Sequence, residues 1–250
     1  MAEPVFRTLE ILTTTLAATV GPRISYYGLE NIPAKGGAVI AINHTSYVDW
    51  MPAAIAAYKR KRRLRFMIKA EMADVKIVGF LMRGTSMIPV DRRAGAGAYG
   101  AAVDALRRGE LVGVYPEATI SRSFELKEFK TGAARMAREA GVPIIPLIAW
   151  GAQRMWTKDH PRKLFFNRIP ITAIVGDPLH PIDSAVQTDA ALREAMTELL
   201  QRAQLGYPQP SGAYWVPRRL GGSAPTMAEA RLLDDAELAE RARRHTEPEA

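Results

Sequence analysis

Asn43-His44-Thr45-Ser46-Tyr47-Val48-Asp49 sets an imidazole and a carboxylate five positions apart in a short polar segment. A neutral imidazole takes a proton from an alcohol, and a neighbouring carboxylate selects its tautomer and stabilises the imidazolium. Proton transfer by a group positioned in this way accelerates a reaction by about 10²–10⁴-fold. The same two residues have a purely structural use, in which His44 satisfies a loop and Asp49 caps a helix, a common task for aspartate. The chain contains no cysteine, which removes disulfides, thiolate nucleophiles and cysteine-based zinc sites. His44, His160, His180 and His245 show no close ligand spacing, so no metal is expected.

The flanking residues say where the imidazole is held. Ala38-Val39-Ile40-Ala41-Ile42 is an unbroken run of small and β-branched residues, the pattern of a strand covered on both faces. Asp49-Trp50-Met51-Pro52 reads as a helix start, with proline tolerated in the first turn. His44 then lies just beyond the carboxyl end of a strand, where open α/β sheets place their ligands. Further strands are predicted over residues 23–27, 65–68, 111–115, 142–148 and 169–176, with a short one ending at Val90, and helices over 4–20, 94–109, 131–140, 189–204 and 227–244. This alternation predicts an α/β fold, a mostly parallel mixed sheet flanked by helices, with room for an antiparallel pair early in the chain. Pro143 and Pro146 mark residues 142–148 as an edge or irregular strand.

His44, Arg92 and Glu117 each directly follow a predicted strand, so a parallel sheet gathers them at one edge, with Lys127 and Lys130 close by in sequence. Arginine binds phosphate through paired hydrogen bonds and lysine adds point charge, so the edge suits a phosphate-bearing alcohol. The bland alternatives are an Arg92 ion pair with Asp91 or Glu117, and a plain turn at Pro116-Glu117. Trp150, Trp156 and Trp215 read as packing residues. Met67, Met72, Met82 and Met87 read as core, with a flexible apolar tunnel as the other use.

The 250-residue chain carries a net charge of +8, 48% hydrophobic and 24% charged residues, which is ordinary for one globular domain with decorations. The positive balance favours anionic partners. Residues 1–22 are expected to form an amphipathic helix facing a membrane, 23–205 the α/β core, and the Pro- and Gly-rich 206–250 a strap plus a charged helix. Glu3 and Glu10 without a basic stretch argue against a secretory leader, and residues 11–20 are too short a run to span a bilayer. Lys59-Arg60-Lys61-Arg62-Arg63-Leu64-Arg65 is either a solvated face or a grip on anionic lipid. Aromatic residues are not interleaved with it, so nucleic acid is not expected.

Four ordered segments resemble the glycerolipid acyltransferases, the family of 1-acyl-glycerol-3-phosphate acyltransferases. Asn43-His44 with Asp49 is similar to the NHxxxxD block. Gly84 to Arg92 resembles the second block, which ends in an aspartate–arginine pair. Tyr115-Pro116-Glu117-Ala118-Thr119-Ile120-Ser121 resembles the third, FPEGTRS, and Val142-Pro143-Ile144-Ile145-Pro146 the fourth. The resemblance spans residues 23 to about 180. It implies transfer of a fatty acyl chain from acyl-CoA or acyl-carrier protein to the free hydroxyl of a lysophosphatidate-like acceptor, giving phosphatidate, without an acyl-enzyme. By the same pattern His44 is the general base and Asp49 its partner. Arg92 holds the acceptor phosphate, and Asn43, Glu117, Thr119 and Ser121 shape the pocket. No cofactor beyond the acyl donor is implied, and the enzyme is expected as a peripheral protein on the cytoplasmic face of an anionic membrane.

Ala118 and Ile120 stand where the family usually has glycine and arginine. The missing arginine gives Arg122 or Lys130 the chance to supply the phosphate contact. It also keeps open other acceptors: glycerol 3-phosphate, a lysophospholipid or a glycolipid. Two readings outside this reaction are a non-catalytic basic membrane- or nucleic-acid-binding module and a hydrolase built on the same pair.

Overall fold

The computed structural model describes residues 7, 8, 11, 15, 21–74, 84–85, 87–90, 96–165 and 167–246. Arg7, Thr8, Ile11 and Thr15 are helical, and the rest of the predicted helix over 4–20 lies outside the described residues. Seven strands form one sheet: β1 (Arg23–Tyr27), β2 (Ala38–Ile42), β3 (Leu64–Lys69), β4 (Ile88–Val90), β5 (Leu111–Val114), β6 (Ile144–Trp150) and β7 (Pro170–Val175). Their order across the sheet is β1-β7-β6-β2-β5-β3-β4. Among the described residues, the helices with both ends defined are α1 (Trp50–Lys59), α2 (Ala96–Arg107), α3 (Gly132–Ala140), α4 (Ala185–Gln204) and α5 (Met227–Thr246).

β2 to β6 run parallel and β7 turns back against β6, carrying β1 parallel to itself. The antiparallel step therefore joins β6 to β7, not an early pair, and β1 pairs with the last strand instead of with β2.

Successive side chains of a strand face opposite sides, and β2 shows what that does when every residue is apolar. Val39 and Ala41 enter one core with α2, α3 and α4, while Ala38, Ile40 and Ile42 enter a second with α1. Helices thus cover β2 on both faces, and the loop that carries His44 leaves from its carboxyl end.

The proline-punctuated segment is neither an edge nor irregular, since β6 lies between β2 and β7 with every residue buried. Pro146 pairs with Ala41 on one side. On the other, β7 ends at Val175, and the next N–H, from Gly176, donates to the Pro146 carbonyl at 2.8 Å. The missing proline N–H thus falls where the neighbouring strand stops. A Cβ on Gly176 would approach the Pro146 ring to 2.8 Å, so glycine makes room for it.

Residues 206–226 have no core of their own. Tyr207, Trp215, Val216 and Ala224 complete the main core beside α4, and the strap leads into α5. Trp150 and Trp215 are buried packing residues, and Trp156 flanks a third small cluster under the 43–49 loop.

The basic stretch 59–65 sits at the amino ends of the strands, the rim opposite His44. Arg62 donates to the carbonyls of Pro33 (2.6 Å), Gly36 (2.8 Å) and Gly109 (2.7 Å). Arg60 donates to Ile32, and Arg65 to Glu110 and Thr85. Much of the cluster therefore ties together the turns that precede β2, β3 and β5. Together with Tyr58, Lys59, Lys61, Arg63 and Glu110, Arg62 and Arg65 line an open cleft of about 660 Å³.

Candidate active site

β2 and β5 are adjacent and in register, Ala38 opposite Leu111 and Ala41 opposite Val114. The loops that follow them leave side by side, and backbone bonds join them. Glu117 Oε1 accepts the His44 N–H at 2.7 Å, and the Ser121 N–H donates to the His44 carbonyl at 2.7 Å. Glu117 Oε2 accepts the Lys127 N–H at 3.0 Å. Burial pushes the Glu117 carboxyl up to about 7, with nearby Asp49 adding to the rise and the two backbone N–H groups opposing it. Glu117 is thus part of the wall and not a plain turn residue.

Asp49 is fully buried at the start of α1, yet its side chain makes no bond to the helix's first amides. It turns back to the loop. Oδ2 accepts the N–H of Thr45 and of Ser46, each at 2.7 Å, and lies 3.3 Å from His44 Nδ1. Burial raises its pKa above the ordinary value, against the hydrogen bond and charge of His44 and the two amides. The capping use is therefore excluded by geometry: the carboxylate organises residues 44–46 and faces the imidazole.

The other face of the loop is closed by partners the sequence does not announce. The Tyr115 ring stacks on the imidazole, centroids 4.1 Å apart and planes at 23°. Ser46 Oγ donates to the carbonyls of Ala152 (3.0 Å) and Trp156 (2.7 Å), and Thr157 Oγ1 donates to the Thr45 carbonyl at 2.8 Å. With Nδ1 directed at Asp49, Nε2 is the imidazole nitrogen left for a substrate, on a side chain 19% exposed.

The remaining predicted site residues divide. Asn43 is buried, its amide accepting from the Ala149 N–H (2.7 Å) and donating to the Ala149 carbonyl (3.2 Å), so it pins the loop to β6. Ser121 is also buried, and its hydroxyl donates to the Glu125 carbonyl at 2.7 Å. Thr119 Oγ1 accepts from Lys127 Nζ at 2.7 Å. Lys130 is exposed, and its N–H holds the Pro116 carbonyl at 2.8 Å. Arg92 lies outside the described residues, as does Asp91; β4, which precedes them, is the sheet's edge strand, separated from β2 by β5 and β3.

Arg122 is placed differently from the expectation of a free phosphate donor. Its guanidinium is engaged by Asp159 and by Asp234 and Glu237 of α5. Ile120 is buried, so the position usually held by arginine contributes no charge. Ala118 carries φ 61°, a left-handed conformation that favours glycine, which accounts for glycine being usual there.

The family model for acyltransferases matches residues 23–150. The chain belongs to the acyltransferase family. This acyltransferase is 29% identical over 180 residues to the 1-acyl-sn-glycerol-3-phosphate acyltransferase of Bacillus subtilis, a match covering 72% of this chain and 85% of that one. It is 25% identical over 184 residues to the 1-acyl-sn-glycerol-3-phosphate acyltransferase of Borreliella burgdorferi, covering 72% and 70%. The crystal structure of the 1-acyl-sn-glycerophosphate acyltransferase of Thermotoga maritima superposes with a TM-score of 0.66 at 21% identity, over 83% of this chain and 81% of that one. The acyltransferase therefore shares its mixed α/β fold. Among the described residues, no helix is long and apolar enough to cross a membrane.

Proposed function

We propose that the enzyme transfers a fatty acyl chain from an acyl thioester, acyl-CoA or acyl-carrier protein, to the free hydroxyl of a 1-acyl-glycerol-3-phosphate, with His44 as general base. The observation that carries the base assignment is the buried Asp49 carboxylate 3.3 Å from His44 Nδ1, organised by the Thr45 and Ser46 amides. A carboxylate there favours a proton on Nδ1, which leaves the Nε2 lone pair to accept the acceptor's hydroxyl proton. As the alkoxide oxygen bonds to the thioester carbonyl carbon, the C–S bond breaks and the imidazolium returns its proton to the leaving thiolate. Tyr115, stacked on the ring, keeps the imidazole plane fixed through both transfers.

The acceptor class rests on the names carried by the relatives from Bacillus subtilis and Borreliella burgdorferi. The net charge of +8 supports work at an anionic membrane surface, with a lipid acceptor drawn from it. The buried Ile120 and the engaged Arg122 favour one second reading, an acceptor of the same reaction with a different headgroup.

The test uses purified protein, radiolabelled palmitoyl-CoA and lysophosphatidate, with His44→Ala alongside and lipids separated by thin-layer chromatography. Phosphatidate from the wild type, with a loss of at least about 10²-fold in His44→Ala, is expected. Acylation of another lysolipid alone replaces the acceptor, and release of free fatty acid alone replaces transfer by hydrolysis.

A further inference from the structure

Three cations next to the His44 loop converge on carboxylates of one helix. Lys127 Nζ lies 2.6 Å from Asp234 Oδ2, and Lys158 Nζ lies 3.1 Å from Asp234 Oδ1 and 2.7 Å from Glu237 Oε2. Arg122 pairs with Asp234, with Glu237 at 2.9 Å and with the exposed Asp159 at 2.7 Å. Each cation hangs from a residue that holds the His44 loop or follows one that does. Arg122 follows Ser121, whose N–H meets the His44 carbonyl, and Lys158 follows Thr157, whose hydroxyl meets the Thr45 carbonyl. Lys127 gives its N–H to Glu117, which also takes the His44 N–H.

Among the described residues, the helix supplying the carboxylates buries little apolar surface, and its first turn meets Ser123 through Met227 and Arg218 through Glu229. Along α5, Ala230 is buried while Leu232, Leu233 and Leu238 are exposed. The strap before it is anchored in the core through Ala224, and a reciprocal pair of bonds between Thr226 and Glu229 fixes where the helix begins. Ion pairs whose side chains are 8–25% exposed hold the middle of α5 against the body, so an anion that enters the seam meets cations already facing carboxylates.

We propose that Arg122, Lys127 and Lys158 form a cradle for the phosphate monoester of the acceptor, and that Asp234 and Glu237 of α5 fill it as a tethered competitor that the acceptor displaces. The inference rests on the reading of the enzyme as acylating a phosphate-bearing acceptor. A phosphate monoester offers charge and oxygens comparable to the two carboxylates, and a guanidinium flanked by two ammonium groups suits it. It supplies the charge that Ile120 does not, and it makes α5 a lid whose opening is coupled to acceptor binding.

The experiment compares wild type with Asp234→Asn/Glu237→Gln, using glycerol 3-phosphate as the binding probe and lysophosphatidate as substrate. In the double variant, glycerol 3-phosphate is expected to bind at least about fivefold tighter by calorimetry, with a matching fall in the KM for lysophosphatidate, as for coupled sites. In wild type, saturating glycerol 3-phosphate is expected to speed amide hydrogen exchange along residues 227–246, an arm that needs no variant to fold. Unchanged or weaker binding in a folded double variant, or unchanged exchange in wild type, overturns the cradle. Acylation of lysophosphatidate with an unmoved KM leaves the reaction standing and sinks the competitor. Tighter glycerol 3-phosphate binding without any acylation does the reverse.

Discussion

The Glu117 carboxylate accepts the backbone N–H of His44 at 2.7 Å, so a side chain of the third sequence block holds the main chain of the first and not its imidazole. The imidazole itself is set from one side by Asp49 and across its face by Tyr115.

Replacing Asp49 separates its two jobs. Asp49→Asn keeps the shape but loses the charge facing Nδ1, and kcat is expected to fall by about 10²–10⁴-fold with little change in fold. Asp49→Ala also strands the buried Thr45 and Ser46 amides, for a further stability loss of about 2–4 kcal/mol in urea unfolding. Full activity in Asp49→Asn would remove the carboxylate from the mechanism.

The Glu117 carboxyl, raised to about 7, carries a pH signature of definite sign. Between the ordinary value near 4.5 and about 7, the unfolded chain has released this proton and the folded one still holds it. Folding stability therefore falls as pH rises through that window, by about 3 kcal/mol from this group, and is level above it. Urea unfolding of wild type and Glu117→Gln at several pH values checks this, because the difference between them isolates the group. A difference that stays flat from pH 4.5 to 7 contradicts it.

Ala118 holds φ 61°, a conformation costing an alanine about 1–2 kcal/mol. Glycine there relieves that strain and gives back about 0.4–1 kcal/mol through the entropy of the unfolded chain. Ala118→Gly is therefore expected to stabilise by about 0.5–1 kcal/mol, read as a rise in the urea midpoint at constant slope.

Arg62 serves three carbonyls at the rim opposite His44. Arg62→Ala is expected to cost about 2–4 kcal/mol of stability, and Arg62→Lys does not restore it, since an ammonium cannot span the three acceptors. The acceptor KM of the folded Arg62→Lys protein stays near wild type. A large KM change would instead tie this rim to substrate.

The apolar run 38–42, the blocks around His44 and Glu117 and the order of strands and helices were readable because each is a local pattern: burial on both faces, a polar turn after a strand, a period of two or 3.6. Those patterns carry no information about which strand lies beside which. The chain alone did not place β1 against β7, or β6 inside the sheet despite Pro146, because strand partners and the end of β7 at Val175 are settled by packing. Nor could it turn Asp49 from the helix it precedes to the loop behind it; both are short-range options, and the buried amides choose between them. Asp234 and Glu237 lie more than 100 positions from Arg122, and a long-range ion pair leaves no periodicity in the sequence. Residue types and their order determined the fold class and the candidate pair His44 and Asp49, whereas direction, adjacency and the helix over the cations came from tertiary structure, where distant backbone groups and charges must satisfy one another.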